Sequence, residues 1–317
     1  MPLTRRHAIA TLGAALAARP ALAQDFPNRA IRIIVPYAAG GTDQYVRLLQ
    51  QDIAQRLGQP VLIDSVVGGG GGIGANRVRS SAADGYTLLF AGTAAITVVP
   101  RINKLPYSAA DFAPICNLVA LPIIVAAKRD FAHRTAQDML AAARARPEGI
   151  SIASPGIGSS PHMAAEAMAR AAGVKLLHVP YPGIAPAMTA LLAGDVDLVV
   201  GAPGIILPTV ESHGILPLLQ TGATRSAALP NLVALQEIGL DVDLVTRFGF
   251  FAPKQTPEPV LDRLAHVFMA SAATPEYAQA MRRAYNEVLL QDRAQFARAL
   301  ATEDEVSARL VRDLGLS

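Results

Sequence analysis

Three loops rich in glycine and hydroxyl groups hold the residues best suited to chemistry. They are Tyr37-Ala38-Ala39-Gly40-Gly41-Thr42-Asp43, Ser154-Pro155-Gly156-Ile157-Gly158-Ser159-Ser160-Pro161-His162 and Tyr181-Pro182-Gly183-Ile184-Ala185-Pro186. Each follows a β-rich run and precedes a helix-forming one. The glycines permit positive φ and close backbone approach. Ser160 fits an N-cap with Pro161 at the first helical position, and Thr42 or Asp43 can cap the first helix. Such loops place free backbone N–H groups and hydroxyls at the positive ends of helices. That arrangement binds an anion without a cationic side chain. Any one of these loops also reads as ordinary turn chemistry. Three in one chain point to an anion cleft. Asp43 stands apart, because a carboxylate repels an acidic ligand. It reads as a cap for the helix from Thr42 to Leu57, or else as a partner for a ligand amine or an ordered water.

Other chemistries fail on spacing. Gly69-Gly70-Gly71-Gly72-Ile73-Gly74 satisfies G-x-G-x-x-G, but a five-glycine run meets that pattern cheaply. No acid lies about 20 residues on, and Asp84 comes too early for a dinucleotide ribose. There is no G-K-[ST] phosphate loop, no H-E-x-x-H and no G-x-S-x-G. His133, His162, His178, His213 and His266 lie far apart in sequence, without metal-ligand spacing. Ser159 or Ser160 with His162 suggests a nucleophile and base, but no partner acid is identifiable. The lone Cys116 lies in the apolar stretch Ile115–Val119 with no basic neighbour and reads as buried and inert.

The elements that must position these loops alternate along the chain. Ile31–Val35, Val61–Ile63 and Tyr86–Phe90 read as strands. Between them, Val46, Leu49, Ile53 and Leu57 recur at helical spacing up to Gly58, and a short helix covers Ile73–Ser80. The pattern restarts at Pro122–Ala126. Strands at Ile150–Ala153, Lys175–Val179, Val196–Val200 and Leu216–Thr221 then alternate with helices at Ala136–Ala145, Pro161–Ala172 and Ala185–Leu192. The tail Pro259–Leu314 reads as mostly helical. This order predicts an α/β fold of two lobes with parallel sheets, in which ligands bind outside the carboxyl ends of strands.

Composition narrows the function classes. The chain has 317 residues, 51% hydrophobic and 17% charged, with no Trp and 5% aromatics. It can bury a sizeable core, and it lacks a stacking platform for nucleic acid. Residues 1–23 read as a cleaved leader with an Arg5-Arg6 start, an apolar run Ala8–Ala18 and an Ala21-Leu22-Ala23 cleavage site. Export is expected by the general secretory or the twin-arginine route, with Gln24 as the new N-terminus and no Cys for a lipid anchor. Removing Arg5, Arg6 and Arg19 from the 28 basic residues leaves 25 against 25 acidic, so no basic stripe for phosphate backbones is expected.

At these loops the chain resembles the substrate-binding proteins of tripartite tricarboxylate transporters, often called Bug receptors. The resemblance runs through PNRAIRIIVPYAAGGTDQYVRLL, LGQPVLID, GGGGGIGANRV, ADGYTLLFAGT, LPYSAADFAPI, SPGIGSSPHMAAEAM, HVPYPGIAPAMTALLAGDVDL, LLQTGATRSAALPNL and RFGFFAPKQTP, in family order. It implies a two-lobed, type II-like periplasmic-binding-protein fold, each lobe a mixed, mostly parallel sheet flanked by helices. The implied arrangement is 24–123 for the first part of lobe 1, 124–246 for lobe 2 and 247–317 for the return to lobe 1. It implies capture of a small organic carboxylate between the lobes and delivery to membrane subunits of the transporter. The protein would act in the periplasm as a monomer, with no catalysis, no cofactor, no metal and no nucleic acid. A ligand-sensing receptor and an exported hydrolase on the same scaffold are the alternatives.

Carried over by position, the ligand residues are Tyr37, Ala39, Gly40 and Asp43 in the first loop, Gly158, Ser159 and His162 in the second, and Tyr181, Gly183 and Pro186 in the third. Ser159 Oγ and nearby N–H groups are expected to hold a carboxylate oxygen, with Tyr181 lining the cleft. The chain departs from the family at Ala38-Ala39, Ser65-Val66-Val67, Val99-Pro100, Gly201-Ala202-Pro203 and Arg247. The apolar Gly201-Ala202-Pro203 favours an aromatic or aliphatic acid over citrate.

Overall fold

A computed structural model describes residues 26–316, apart from 223, 227, 228, 242–244 and 287. The leader and its cleavage site lie outside the described residues. The strands in chain order are β1 (Ile31–Val35), β2 (Val61–Ser65), β3 (Thr87–Gly92), β4 (Phe112–Pro122), β5 (Ile124–Ala127), β6 (Ser151–Ser154), β7 (Leu177–Pro180), β8 (Leu198–Gly201), β9 (Leu216–Gln220), β10 (Val245–Pro253) and β11 (Val288–Gln291). They form a six-stranded sheet ordered β11-β4-β10-β3-β1-β2 and a five-stranded sheet ordered β7-β6-β8-β5-β9. The apolar runs of β1 and β3 are buried on both faces, as strands covered by helices on both sides must be.

Both sheets are mixed, but parallel pairing takes a smaller share than the alternation of strands and helices suggests. β1 pairs in parallel with β2 and β3, and β6 with β7 and β8. The remaining pairings are antiparallel. The cause is the crossing of the chain between sheets. β4 hands over to β5 within a single residue, and β10 later returns from the second sheet to lie between β4 and β3. A strand entering from the other sheet runs against the parallel set.

Three local readings change as well. The apolar run around Pro122 is the end of β4 and the start of β5, not one strand. The first helix breaks into Gln44–Arg47 and Gln50–Leu57, where the Leu49 N–H bonds to the Val46 carbonyl three residues back. Its periodicity survives the tighter turn, since Val46, Leu49, Ile53 and Leu57 are all buried and Gly58 closes the helix in the left-handed region. The helical tail contains β11 between the helices Pro275–Arg283 and Arg293–Asp313.

Aromatic rings fill the larger core. Phe250 stands 4.9 Å from Phe90 and 4.3 Å from Phe268, ring centre to ring centre. Phe268 comes from the helix Glu258–Ala272, whose Leu261, Leu264 and Val267 share its buried face. Cys116 is buried in β4, and burial raises its thiol pKa, so it is an inert core residue. Among the described residues no helix is long and apolar enough to cross a membrane.

Candidate functional site

The carboxyl ends of β6, β7 and β8 lie side by side, and each leads into a helix. These helices are Ser160–Ala171, Ile184–Ala193 and Pro203–His213. Each first turn carries a proline (Pro161, Pro186, Pro203), which suits a position whose N–H has no helical partner. The N-terminal ends of all three face the loop Tyr37–Asp43 that follows β1, and a cavity lies between them. Tyr37, Thr42, Gly92, Thr246 and Phe248 line it from one side; Ser159, Ser160, Ile184, Ala202 and Ile205 line it from the other. Its free volume is about 30 Å³, roughly the room needed for two water molecules. An outer groove of about 250 Å³ adjoins it and shares Tyr37 and Pro155, with Gly68–Gly71 on one wall and Gly156, Ile157 and Tyr181 on the other.

The two sides touch through backbone. A Cβ on Gly70 would stand 2.1 Å from the Ile157 carbonyl oxygen, and one on Gly183 would stand 3.1 Å from the Ala38 Cβ. Gly70 also has φ +66. The glycine run therefore serves close contact across the cleft.

No charged side chain lines the cavity or the groove among the described residues. The polarity comes from hydroxyls and helix ends. Thr42 and Thr246 are 8% and 3% exposed, and neither Oγ1 has a hydrogen-bond partner among the described residues. Two buried orphan hydroxyls on one cavity are costly unless something in the cavity pairs with them. Burial raises the Tyr37 hydroxyl pKa against the lowering effect of the Gly92 backbone, so Tyr37 remains a neutral donor.

All but one of the residues expected from sequence fall into three groups, and Asp43 stands apart. Tyr37 and Ser159 line the inner cavity, and Tyr181 lines the groove. Ser159 is the N-cap of its helix: its Oγ accepts the His162 N–H at 3.3 Å and donates to the Gly156 carbonyl at 2.7 Å. Its proton is thus already committed within the loop. Gly158 and Gly183 sit at close contacts with Val99 and Ala38 on the other side, and His162 and Pro186 line neither space and shape their loops. Ala39 and Gly40 are exposed and border neither space.

Asp43 is buried beneath its loop. Its carboxylate accepts the Gly41 N–H at 2.9 Å and pairs with Arg47 at 2.6 Å. It makes no side-chain cap on the helix, so it fixes the loop and not the helix end. Sequence reasoning missed Thr246, on a strand recognised only through the family resemblance. It also missed the helix start after β8, which looks inert because its residues are apolar; its donors are backbone N–H groups.

Folding also brings together histidines that are far apart in sequence. His162 and His178 stack with ring centres 4.0 Å apart and planes 24° from parallel. The Gly158 N–H donates to His162 Nδ1 at 3.0 Å, His162 Nε2 lies 3.6 Å from Glu166, and His178 Nε2 meets Ser154 Oγ at 2.7 Å. These three side chains place ligand atoms within 4.8 Å of one another. Stacked rings, however, hold their in-plane lone pairs side by side, and two ring nitrogens are already engaged. The set does not converge on a metal ion. The buried Ser154–His178 contact is no nucleophile and base either, since Ser154 is fully enclosed. Together these groups lock the loop between β6 and its helix.

The lock should respond to pH through His178. Burial, helped by His162 and opposed by Glu166, pushes the His178 pKa from 6.5 down to about 4. The unfolded chain therefore binds more protons between these values, and stability falls as pH drops from about 6.5 towards 4. Thermal melts of wild type and His178→Gln across that window should diverge, with the variant showing the shallower acid slope. Parallel slopes would show that His178 does not carry the effect.

Comparison with known proteins agrees with this geometry. A Cupriavidus necator protein, the UPF0065 protein in the gbd 5'region, is 34% identical over 333 residues, covering 99% of each chain. The periplasmic binding protein BugD superposes with a TM-score of 0.84 at 29% identity, over 92% of this chain and 99% of that one. An R. palustris protein solved with adipate gives a TM-score of 0.84 at 26% identity, over the same shares. The family profile described as "Tripartite tricarboxylate transporter family receptor" matches residues 45–316. With its two mixed sheets and the cleft between them, the chain belongs to the tripartite tricarboxylate transporter receptor family.

Proposed function

We propose that the protein captures a small organic carboxylate in the cleft and delivers it to the membrane subunits of a tripartite transporter. It works in the periplasm as a monomer, without catalysis or a cofactor. The two lobes are 24–123 with 247–317, and 124–246, and they close around the ligand by hinge motion. Tyr37, Ser159 and Tyr181 border the ligand, and Gly158, His162, Gly183 and Pro186 hold the loops in shape. Ala39, Gly40 and Asp43 serve the first loop, with Asp43 pinning it.

The observation that carries this reading is the convergence of three helix N-termini and two unpaired buried hydroxyls on a space with no charged side chain. Helix ends favour a negative charge, and Thr42 and Thr246 supply donors. The apolar walls at Ile184, Ala202, Ile205 and Phe248 suit an aliphatic or aromatic body. The R. palustris relative solved with adipate, an aliphatic dicarboxylate, supports this reading.

A panel of aliphatic and aromatic mono- and dicarboxylates, each with its uncharged amide, tests the reading by thermal shift and calorimetry. At about 100 Kd a binding carboxylate should stabilise the fold by roughly 2.7 kcal/mol, and its amide should not. Equal stabilisation by acid and amide, or by no member of the panel, would remove the basis for a carboxylate receptor.

A further inference from the structure

β10 separates two spaces. Thr246 and Phe248 line the cleft cavity, whereas Val245 and Arg247 line a second cavity of about 540 Å³. Alternate side chains of a strand point to opposite faces, so the second cavity lies behind the cleft. Its volume falls within the usual small-molecule range of about 300–1,000 Å³. Both parts of the molecule wall it. Ile123 comes from the β4–β5 crossing, Met163 from the helix Ser160–Ala171, and Val98, Val306 and Leu310 from the six-stranded side.

One end of this apolar chamber is charged. Arg247 Nη1 donates to Glu303 Oε2 at 3.2 Å, and the other Glu303 oxygen accepts from the buried Thr93 hydroxyl. The Arg247 Nε–H is buried without a partner, and Nη2 has no partner among the described residues. The Nε/Nη2 edge is therefore unpaired; Nε itself is enclosed, so a turn of the guanidinium is needed to present this edge to the cavity, where it would take a carboxylate in a two-pronged fork. Burial raises the Glu303 pKa, so a second carboxylate beside Arg247 meets a neighbour able to take up a proton.

We propose that this cavity is a second ligand site, selective for an amphiphilic monocarboxylate whose head pairs with the free edge of Arg247 and whose chain lies along Ile123, Met163, Val306 and Leu310. The charged end is single, so a chain with one carboxylate fits and a dicarboxylate leaves its second charge against apolar walls. Ser160 borders both spaces, but site identity does not depend on the reading of the cleft, because Arg247 and Glu303, which form the charged end, line only the second cavity.

Octanoate is the probe, with octanamide as its uncharged match, and the full chain is titrated by calorimetry. Octanoate should bind and octanamide should bind at least about tenfold more weakly, since the fork supplies the charge-assisted part of the contact. Arg247→Met removes the fork, and Val306→Trp fills the chamber while keeping the Arg247–Glu303 pair. Each should weaken octanoate binding about tenfold or more, and Thr246→Val in the cleft should leave it unchanged. Thermal melts check that each variant is folded, and Val306→Trp keeps the test decisive if Arg247→Met is not. A diazirine-bearing octanoate should crosslink to the helix Arg293–Asp313 or to Met163. Octanoate that fails to bind, that binds Val306→Trp as tightly as wild type, or that is lost in Thr246→Val and crosslinks to Ile184 or Ile205 would overturn the second site.

Discussion

Gly70→Ala should abolish tight ligand binding while leaving both sheets folded. In the closed arrangement its new Cβ would stand 2.1 Å from the Ile157 carbonyl oxygen, a backbone atom that no rotamer change can move. Opening the cleft relieves the overlap, so the variant should remain open. A ligand that draws its affinity from both walls then loses one of them. A loss of about a hundredfold, worth about 2.7 kcal/mol, is expected. The positive φ at Gly70 adds strain of its own, and Gly69→Ala controls for it. Gly69 has φ +58, but its added Cβ meets nothing nearer than Ile73 at 4.0 Å. Titration with the tightest carboxylate of the panel should separate the two variants, and small-angle scattering should show compaction on binding only for Gly69→Ala. If both bind alike, the contact across the cleft does not control affinity.

Thr246→Val should move affinity and stability in opposite directions. An unpaired buried hydroxyl costs about 1–3 kcal/mol. Replacing it with a methyl group of similar size should raise the melting temperature of the ligand-free protein by a few degrees, about 2–4 °C per kcal/mol in a protein of roughly 150–250 residues and somewhat less here. The same change removes a donor that a bound carboxylate would use, and binding should weaken about tenfold. Thr42→Val should behave alike from the loop after β1 on the same side of the cavity. The double variant should lose more than either single one, because the two groups meet one ligand from different elements. Unchanged affinity in both single variants would mean that neither hydroxyl touches the ligand. A lower melting temperature without ligand would mean that a trapped water pairs with them instead.

Much of the scaffold was legible because apolar periodicity and end signals are local. Thr135 caps the helix Ala136–Ala145 through Asp138, three residues on, as its spacing implies. The second and third loops open helices at Ser160 and Ile184, within one residue of the sequence reading. What was not legible depends on partners distant in the chain. β4 runs through Pro114, Asn117 and Pro122 and lacks a simple alternation, so only its pairing with β10 reveals it. The stacked His162 and His178 come from a helix and the strand after it, with no spacing rule to connect them. The site was legible in part for the same reason. Hydroxyl-rich loops announce themselves, whereas Ala202 and Ile205 contribute through a helix end that any side chain can carry. Asp43 shows the converse: a conspicuous acid whose carboxylate is spent on its own loop.

The place of β10 between β4 and β3 sets an order on folding. The strands of the five-stranded sheet form one continuous stretch of chain, from Ile124 to Gln220, and can pair as soon as that stretch exists. β3 and β4 are made earlier, yet they do not pair with each other. They keep unpaired edges until β10 has been synthesised, after the whole of the other sheet. Exposed strand edges are the places where chains join wrongly. The sheet that the chain begins is therefore the last to be completed, and its open edges at β3 and β4 are where mispairing would start before β10 joins them.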